Sequence, residues 1–248
     1  MTTLRKYRDI SGLAASSAVS SKGKQDTTTL MKNNQKQVDL MIFDLDGTIV
    51  DSGVDIANSI NHTRHELGLP AHDLAVVLSF IGDGFENLLQ RAMGKEDTEK
   101  LAQAREIFAA HYLSHILDTT AIYPGMREVL EAFSAKKKVL ITNKRRHFAE
   151  VIIERLGLRG YFLEIIGGDS FPYMKPDIRL LIDTARQYGA TSERTLVIGD
   201  GSSDILLARN GGGISCAHLQ GLTKRELLLS LTPDYTYENP LELLDLFE

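Results

Sequence analysis

The chain has 248 residues, 43% hydrophobic and 25% charged, a length that can bury a full core and a composition that excludes fibrous or wholly disordered classes. Its 28 basic and 33 acidic residues give a formal charge of −5, which argues against a general nucleic-acid or anionic-membrane surface, since such surfaces neutralise phosphate with Lys and Arg. The single cysteine, Cys216, excludes an intramolecular disulfide and a cysteine metal cluster; no apolar run approaches the roughly 20 residues of a membrane helix, and a cytoplasmic setting is the expectation.

Residues 1–37 differ from the remainder. They are rich in Ser, Thr and Lys, hold seven basic residues against Asp9 and Asp26, and lack sustained periodicity, so the other residues carry a charge of −10. This segment reads as a flexible basic tail. Its composition also suits an organelle transit peptide, and Met31 is an alternative start.

From Val38 the pattern becomes that of a fold. Met41-Ile42-Phe43 is a short apolar strand ending in Asp44-Leu45-Asp46-Gly47-Thr48, and Ile49-Val50 resumes the apolar pattern. About 70 residues of helical periodicity follow, from near Asp51 to near Thr120, with breaks at Gly68-Leu69-Pro70, Ile81-Gly82-Asp83-Gly84 and Gly94. From Tyr123-Pro124-Gly125 strands and helices alternate. Strands are predicted at Val139–Ile141, Phe162–Ile166, Thr195–Ile198, Gly213–Ala217 and Tyr235–Tyr237, and helices across Phe148–Leu156, Ile178–Tyr188 and Ile205–Arg209. Short apolar strands between amphipathic helices define an α/β class with a Rossmann-like parallel sheet covered on both faces. The expected organisation is an α/β core of residues 38–50 and 122–248, with residues 51–121 as an inserted all-helical cap.

In open parallel sheets ligands bind at the carboxyl ends of the strands. Those ends carry Asp44 and Asp46, then Thr142-Asn143, then Lys175-Pro176 beyond the third strand, then Gly199-Asp200 through Asp204. Each has an ordinary reading when taken alone: a polar turn, a helix cap, a solvated lysine, a first-turn acid. Together they suit phosphoryl transfer. Asp44 is placed to attack phosphorus, and Asp46 to give a proton to the leaving alkoxide and later take one from water. Mg2+ prefers oxygen ligands, for which Asp44, the Asp46 carbonyl, Asp200 and Asp204 are assigned. Thr142, Asn143 and Lys175 are assigned to the phosphate, Asn143 at a helix N-terminus able to present amides. Lys144-Arg145-Arg146 places three cations where a helix begins, against its dipole, so either an anionic ligand or plain solvation accounts for them.

These residues resemble, in order, the four signature motifs of the haloacid dehalogenase superfamily, and the likeness runs from Val38 to the end. Ile81-Gly82-Asp83-Gly84, Leu88-Leu89, Arg91-Ala92, Tyr123-Pro124-Gly125 and Gly167-Gly168-Asp169-Ser170 are similar to stretches of the bacterial phosphoglycolate phosphatase family. The resemblance implies magnesium-dependent hydrolysis of a small phosphorylated metabolite, 2-phosphoglycolate first, by a monomer or homodimer. Gly82, Asp83 and Gly84 of the cap are expected to close over the substrate, with a plain turn between cap helices as the alternative for Asp83. Arg145 stands where that family usually has proline, and His218-Leu219-Gln220-Gly221 lacks its aromatic pair, departures that bear on specificity and not on the reaction type. A sugar phosphomutase on the same scaffold and a non-catalytic phosphate-recognition module stay open as alternatives.

Overall fold

The computed structural model describes residues 35–94 and 98–248. The tail reading of residues 1–37 lies almost wholly outside these residues. Of the described helices, none is long and apolar enough to cross a membrane.

Strand β1, Leu40–Phe43, is apolar throughout and buried at every position. It pairs in parallel with β4 (Lys137–Ile141) on one side and β6 (Thr195–Gly199) on the other. Strand β5 (Glu164–Ile166) extends the sheet beyond β4, and β7 (Ile214–His218) and β8 (Tyr235–Tyr237) extend it beyond β6. The order is β5-β4-β1-β6-β7-β8, all parallel. A parallel sheet needs helices on both faces, and alternate residues of β1 serve the two: Met41 and Phe43 pack into one cluster, Leu40 and Ile42 into the other. The sequence reaches the two neighbours of β1 in opposite directions, so its carboxyl end is the switch point where open α/β sheets bind ligands.

The chain leaves the sheet through β2 (Val50–Asp51) and returns through β3 (Ala121–Ile122), which pair antiparallel as Val50↔Ile122 and Asp51↔Ala121. Between them lie α1 (Gly53–Glu66), α2 (Leu74–Leu78), α3 (Phe85–Met93) and α4 (Thr98–His115). The helical reading of this insertion therefore holds except at its two ends, where an edge-to-edge pairing of β-branched and small residues replaces a turn of helix.

Asp55, in the first turn of α1, closes the insertion from within. Its buried carboxylate accepts from both the amide and the hydroxyl of Thr119 and of Thr120, at 2.7–3.0 Å. Burial alone would raise its pKa, and those bonds outweigh burial and hold it below 3.8.

The remaining helices are α5 (Met126–Ala132), α6 (Arg146–Arg155), α7 (Arg179–Gln187), α8 (Ser202–Gly211), α9 (Arg225–Ser230) and α10 (Leu243–Leu246). Helix α8 begins three residues before its predicted start, because the Asp204 carboxylate accepts the Gly201 amide at 3.0 Å and so supports the first turn. Phe148 of α6 packs among Phe85, Phe108 and Tyr112 of the insertion, with ring centres 5.3–6.3 Å apart. Cys216 is a buried core thiol, as its setting predicts.

Replacing Asp55 with Ala strands the donors of Thr119 and Thr120, and it should lower unfolding stability by about 3 kcal/mol at neutral pH. Because the folded-state pKa lies below the unfolded one, this contribution is complete above 3.8 and is lost as pH falls through the folded value. Denaturant titration of both proteins should show the gap shrinking in acid.

Candidate active site

The carboxyl ends of β1, β4 and β6 converge on one cleft. Its lining includes Asp44, Asp46, Thr142, Asn143, Lys144 and Asp200 from the sheet side, and Gly82, Gly84 and Phe85 from the helical insertion. It encloses about 680 Å³ to its mouth.

Asp44 follows β1 directly, and its amide donates to the Ile198 carbonyl at 2.9 Å, which fixes it against β6. Gly47 then turns the chain at φ +82°, a conformation that a side chain resists. A Cβ there would lie 2.1 Å from an Asp200 carboxylate oxygen, so glycine lets the two acidic loops touch. Beneath the turn lies His218, fully buried between Tyr237 and Tyr123. The Gly47 carbonyl can only accept, so Nδ1 of His218 carries the proton and donates across 2.7 Å. Burial depresses the His218 pKa and favours the neutral ring.

Lys175, beyond β5, is buried and lies 2.8 Å from Asp44 Oδ1 and 2.6 Å from Asp204 Oδ1. Burial opposes its charge; Asp204 and Asp44 outweigh burial and hold its pKa above the usual lysine value. Asp200 accepts from the Thr48 hydroxyl at 3.1 Å and from the Leu222 amide at 2.7 Å. Burial, then the charges of Asp44 and Asp204, push its pKa up to about 8. Burial likewise pushes Asp44 up to about 6, against the pull of Lys175.

Carboxylate oxygens of Asp44, Asp200 and Asp204 all lie within 4.8 Å of one another. Among the described residues, Lys175 is the one cation that pairs with them. Asp44 Oδ1 is buried and meets Lys175 without hydrogen-bond geometry. Three oxygen donors with too little positive charge between them fit a hard divalent cation.

Asp46 belongs to a second pair. Lys144 Nζ donates to its two oxygens at 2.8 and 3.1 Å, and Ser52 adds a hydroxyl. Lys144 is buried beside the Tyr112 ring, and although burial opposes its charge, Asp46 holds its pKa above the usual value. Of the three cations at the start of α6, then, Lys144 is neither solvated nor free.

The structure brings Asp44, Asp46, Thr142, Asn143, Lys175, Asp200 and Asp204 together as the sequence predicts, with two differences. The Asn143 side chain is occupied: it donates to the Gly82 and Lys175 carbonyls at 2.9 and 3.0 Å and accepts the Lys175 amide at 3.0 Å. It fastens the insertion to the sheet, and the Arg146 amide at the start of α6 is taken by Asp169 at 2.7 Å. Asp83 is absent from the lining between Gly82 and Gly84, because it turns outward to an ion pair with Arg91 at 2.5 Å.

Lys144, Ser52 and His218 are site residues that sequence reasoning missed. Their signal was position: Lys144 shares a strand end with Thr142, and His218 ends the strand beside β6.

A parallel sheet with this carboxylate set at its switch point suits phosphoryl-transfer chemistry. Residues 41–218 match the family described as haloacid dehalogenase-like hydrolase. A phosphoglycolate phosphatase of Chromobacterium violaceum is 35% identical over 222 residues, covering 87% of this chain and 99% of its own. One from Aquifex aeolicus is 34% identical, covering 84% and 96%. A crystal structure titled a predicted phosphoglycolate phosphatase, from Haemophilus somnus, superposes with a TM-score of 0.80 at 29% identity, covering 84% of this chain and 97% of that one. The chain belongs to the haloacid dehalogenase-like hydrolases. Within that family it is a phosphatase.

In metal-free protein the raised Asp200 pKa has a pH signature. The unfolded carboxyl ionises near 3.8 and the folded one near 8, so wild type loses stability relative to Asp200→Asn as pH rises through that window. Thermal melts in chelator should show the gap widening from pH 4 to 8 and levelling above it. A gap independent of pH would contradict the buried, charge-crowded setting.

Proposed function

We propose that this phosphatase hydrolyses a small phosphomonoester, 2-phosphoglycolate first, through an aspartyl-phosphate intermediate on Asp44 with Mg2+ as cofactor. The carrying observation is the pairing of two differently equipped carboxylates two residues apart: Asp44 against Lys175, Asp46 against Lys144. The substrate reading rests on the names of the relatives and on the resemblance in the helical insertion.

Asp44 attacks phosphorus, and the bond to the leaving alkoxide breaks as the acyl phosphate forms. Asp46 carries a proton to that alkoxide and then takes one from the water that cleaves the acyl phosphate. Lys144, held on both oxygens of Asp46, fixes where that carboxyl points. Lys175 keeps Asp44 and Asp204 apart in charge and in place. Asp44, Asp200 and Asp204, with the Asp46 carbonyl, would hold Mg2+, which when bound supplies the positive charge that this acidic cluster lacks. Residues 51–121 serve as a cap, hinged at the β2–β3 ribbon and closing Gly82 and Gly84 over the cleft to exclude water.

Purified protein with Mg2+ should release phosphate from 2-phosphoglycolate well above sugar phosphates, nucleotides and pyrophosphate; a flat profile would remove the substrate assignment. Asp44→Asn should abolish turnover while retaining the fold. Asp46→Asn should lower kcat about 10²- to 10⁴-fold, the usual worth of a positioned acid–base group. Full activity in Asp44→Asn would overturn the mechanism.

A further inference from the structure

The cleft wall opposite the carboxylates is largely apolar, formed by Ile56, Ile81, Phe85, Leu88 and Phe108. Its lining holds two cations, Lys144 and Arg145. Lys144 is committed: its side chain is 6% exposed and it holds both oxygens of Asp46. Arg145 is not. Its side chain is 38% exposed, and its carboxylate partner is Glu86, reached by one bond from Nη2 to Oε1 at 3.0 Å.

Glu86 has another partner. Arg105 donates to its other oxygen through Nε and Nη2, at 2.8 and 2.7 Å. Glu86 thus keeps a two-bond ion pair when Arg145 turns away, and no carboxylate is stranded. The Arg145 guanidinium lies 4.2 Å from the centre of the Phe85 ring, itself part of the lining. A flat ring beneath a planar guanidinium leaves the fork of N–H donors free to turn in its own plane. Arg145 also adjoins Lys144, on the segment that carries Thr142 out of β4, so its backbone is set relative to the phosphate-binding residues.

We propose that Arg145 is a specificity-determining residue, which releases Glu86 to take a second anionic group of the substrate as a forked pair. The site thereby selects phosphomonoesters that carry another anion, a carboxylate above all, over neutral ones of the same size. This rests on the phosphatase reading of the cleft and extends it to a substrate class. Without Arg145, a second anion would face an apolar wall and a cluster of acids, with Lys144 already taken.

The test uses two pairs of substrates that differ chiefly in a second anion: 2-phosphoglycolate with ethyl phosphate, and 3-phosphoglycerate with glycerol 3-phosphate. For each pair the ratio of kcat/KM, anionic over neutral member, is measured in wild type, Arg145→Gln, Arg145→Lys and Glu86→Gln. Wild type should favour the anionic member of at least one pair. In Arg145→Gln that ratio should fall about tenfold or more, chiefly through KM, as expected for loss of a charge-assisted pair. Arg145→Lys should restore part of it, and Glu86→Gln, which frees the guanidinium, should raise it.

A purely structural role would lower both members of a pair together and leave the ratio unchanged, and that result overturns the proposal. So does a wild type with no preference in either pair. A preference confined to 3-phosphoglycerate, lost in Arg145→Gln, would sustain Arg145 while removing 2-phosphoglycolate as the substrate.

Discussion

Like charges do not gather in a protein interior unless something holds them there, and the central constraint on this molecule is the packing of Asp44, Asp200 and Asp204 around one lysine. Three carboxylates within 4.8 Å and a single ammonium leave the group short of positive charge. The raised pKa values of Asp44 and Asp200 express that shortage. Much of the fold serves to keep the arrangement in being. Strand β1 sits between β4 and β6 so that its end faces both neighbours, Gly47 lets two acidic loops touch, and the neutral His218 props the first of them from below.

Asp46 escapes this crowding because Lys144 answers it separately. Two acids two residues apart thus occupy different electrostatic surroundings: one beside a lysine shared with Asp204, the other beside a lysine of its own. Division of labour between the two needs no difference in residue type, since the neighbours provide it.

The sheet and most of the site were legible in the sequence because they rest on local pattern. An apolar run ended by polar residues marks a buried strand and its ligand-facing end, and four such ends in order left little freedom. What escaped depended on contacts far apart in the chain. Lys144 read as part of a basic run that was either solvated or facing an anion, since nothing local says that its side chain turns inward to Asp46, 98 positions earlier. Nothing local says that the Asn143 side chain is spent on Gly82 and Lys175. Asp83 looked like a loop residue facing substrate, but Arg91, one helix along, draws it outward. The ribbon of β2 and β3 was invisible for the same reason: two residues carry no periodicity, and their pairing joins positions about seventy apart.

That ribbon, with the Asp55 clasp above it, brings the entrance and exit of the helical insertion side by side. To the sheet the whole excursion is therefore equivalent to a hairpin, whatever its length or content. Chain-closure entropy grows only slowly with loop length, so a stem that fixes the ends makes the enclosed segment interchangeable from the standpoint of the sheet. The ribbon is joined by further ties between the two lengths of chain, Ser52 on Asp46 and Gly82 on Asn143 among them, so the insertion is fixed to the sheet at its stem and at the cleft.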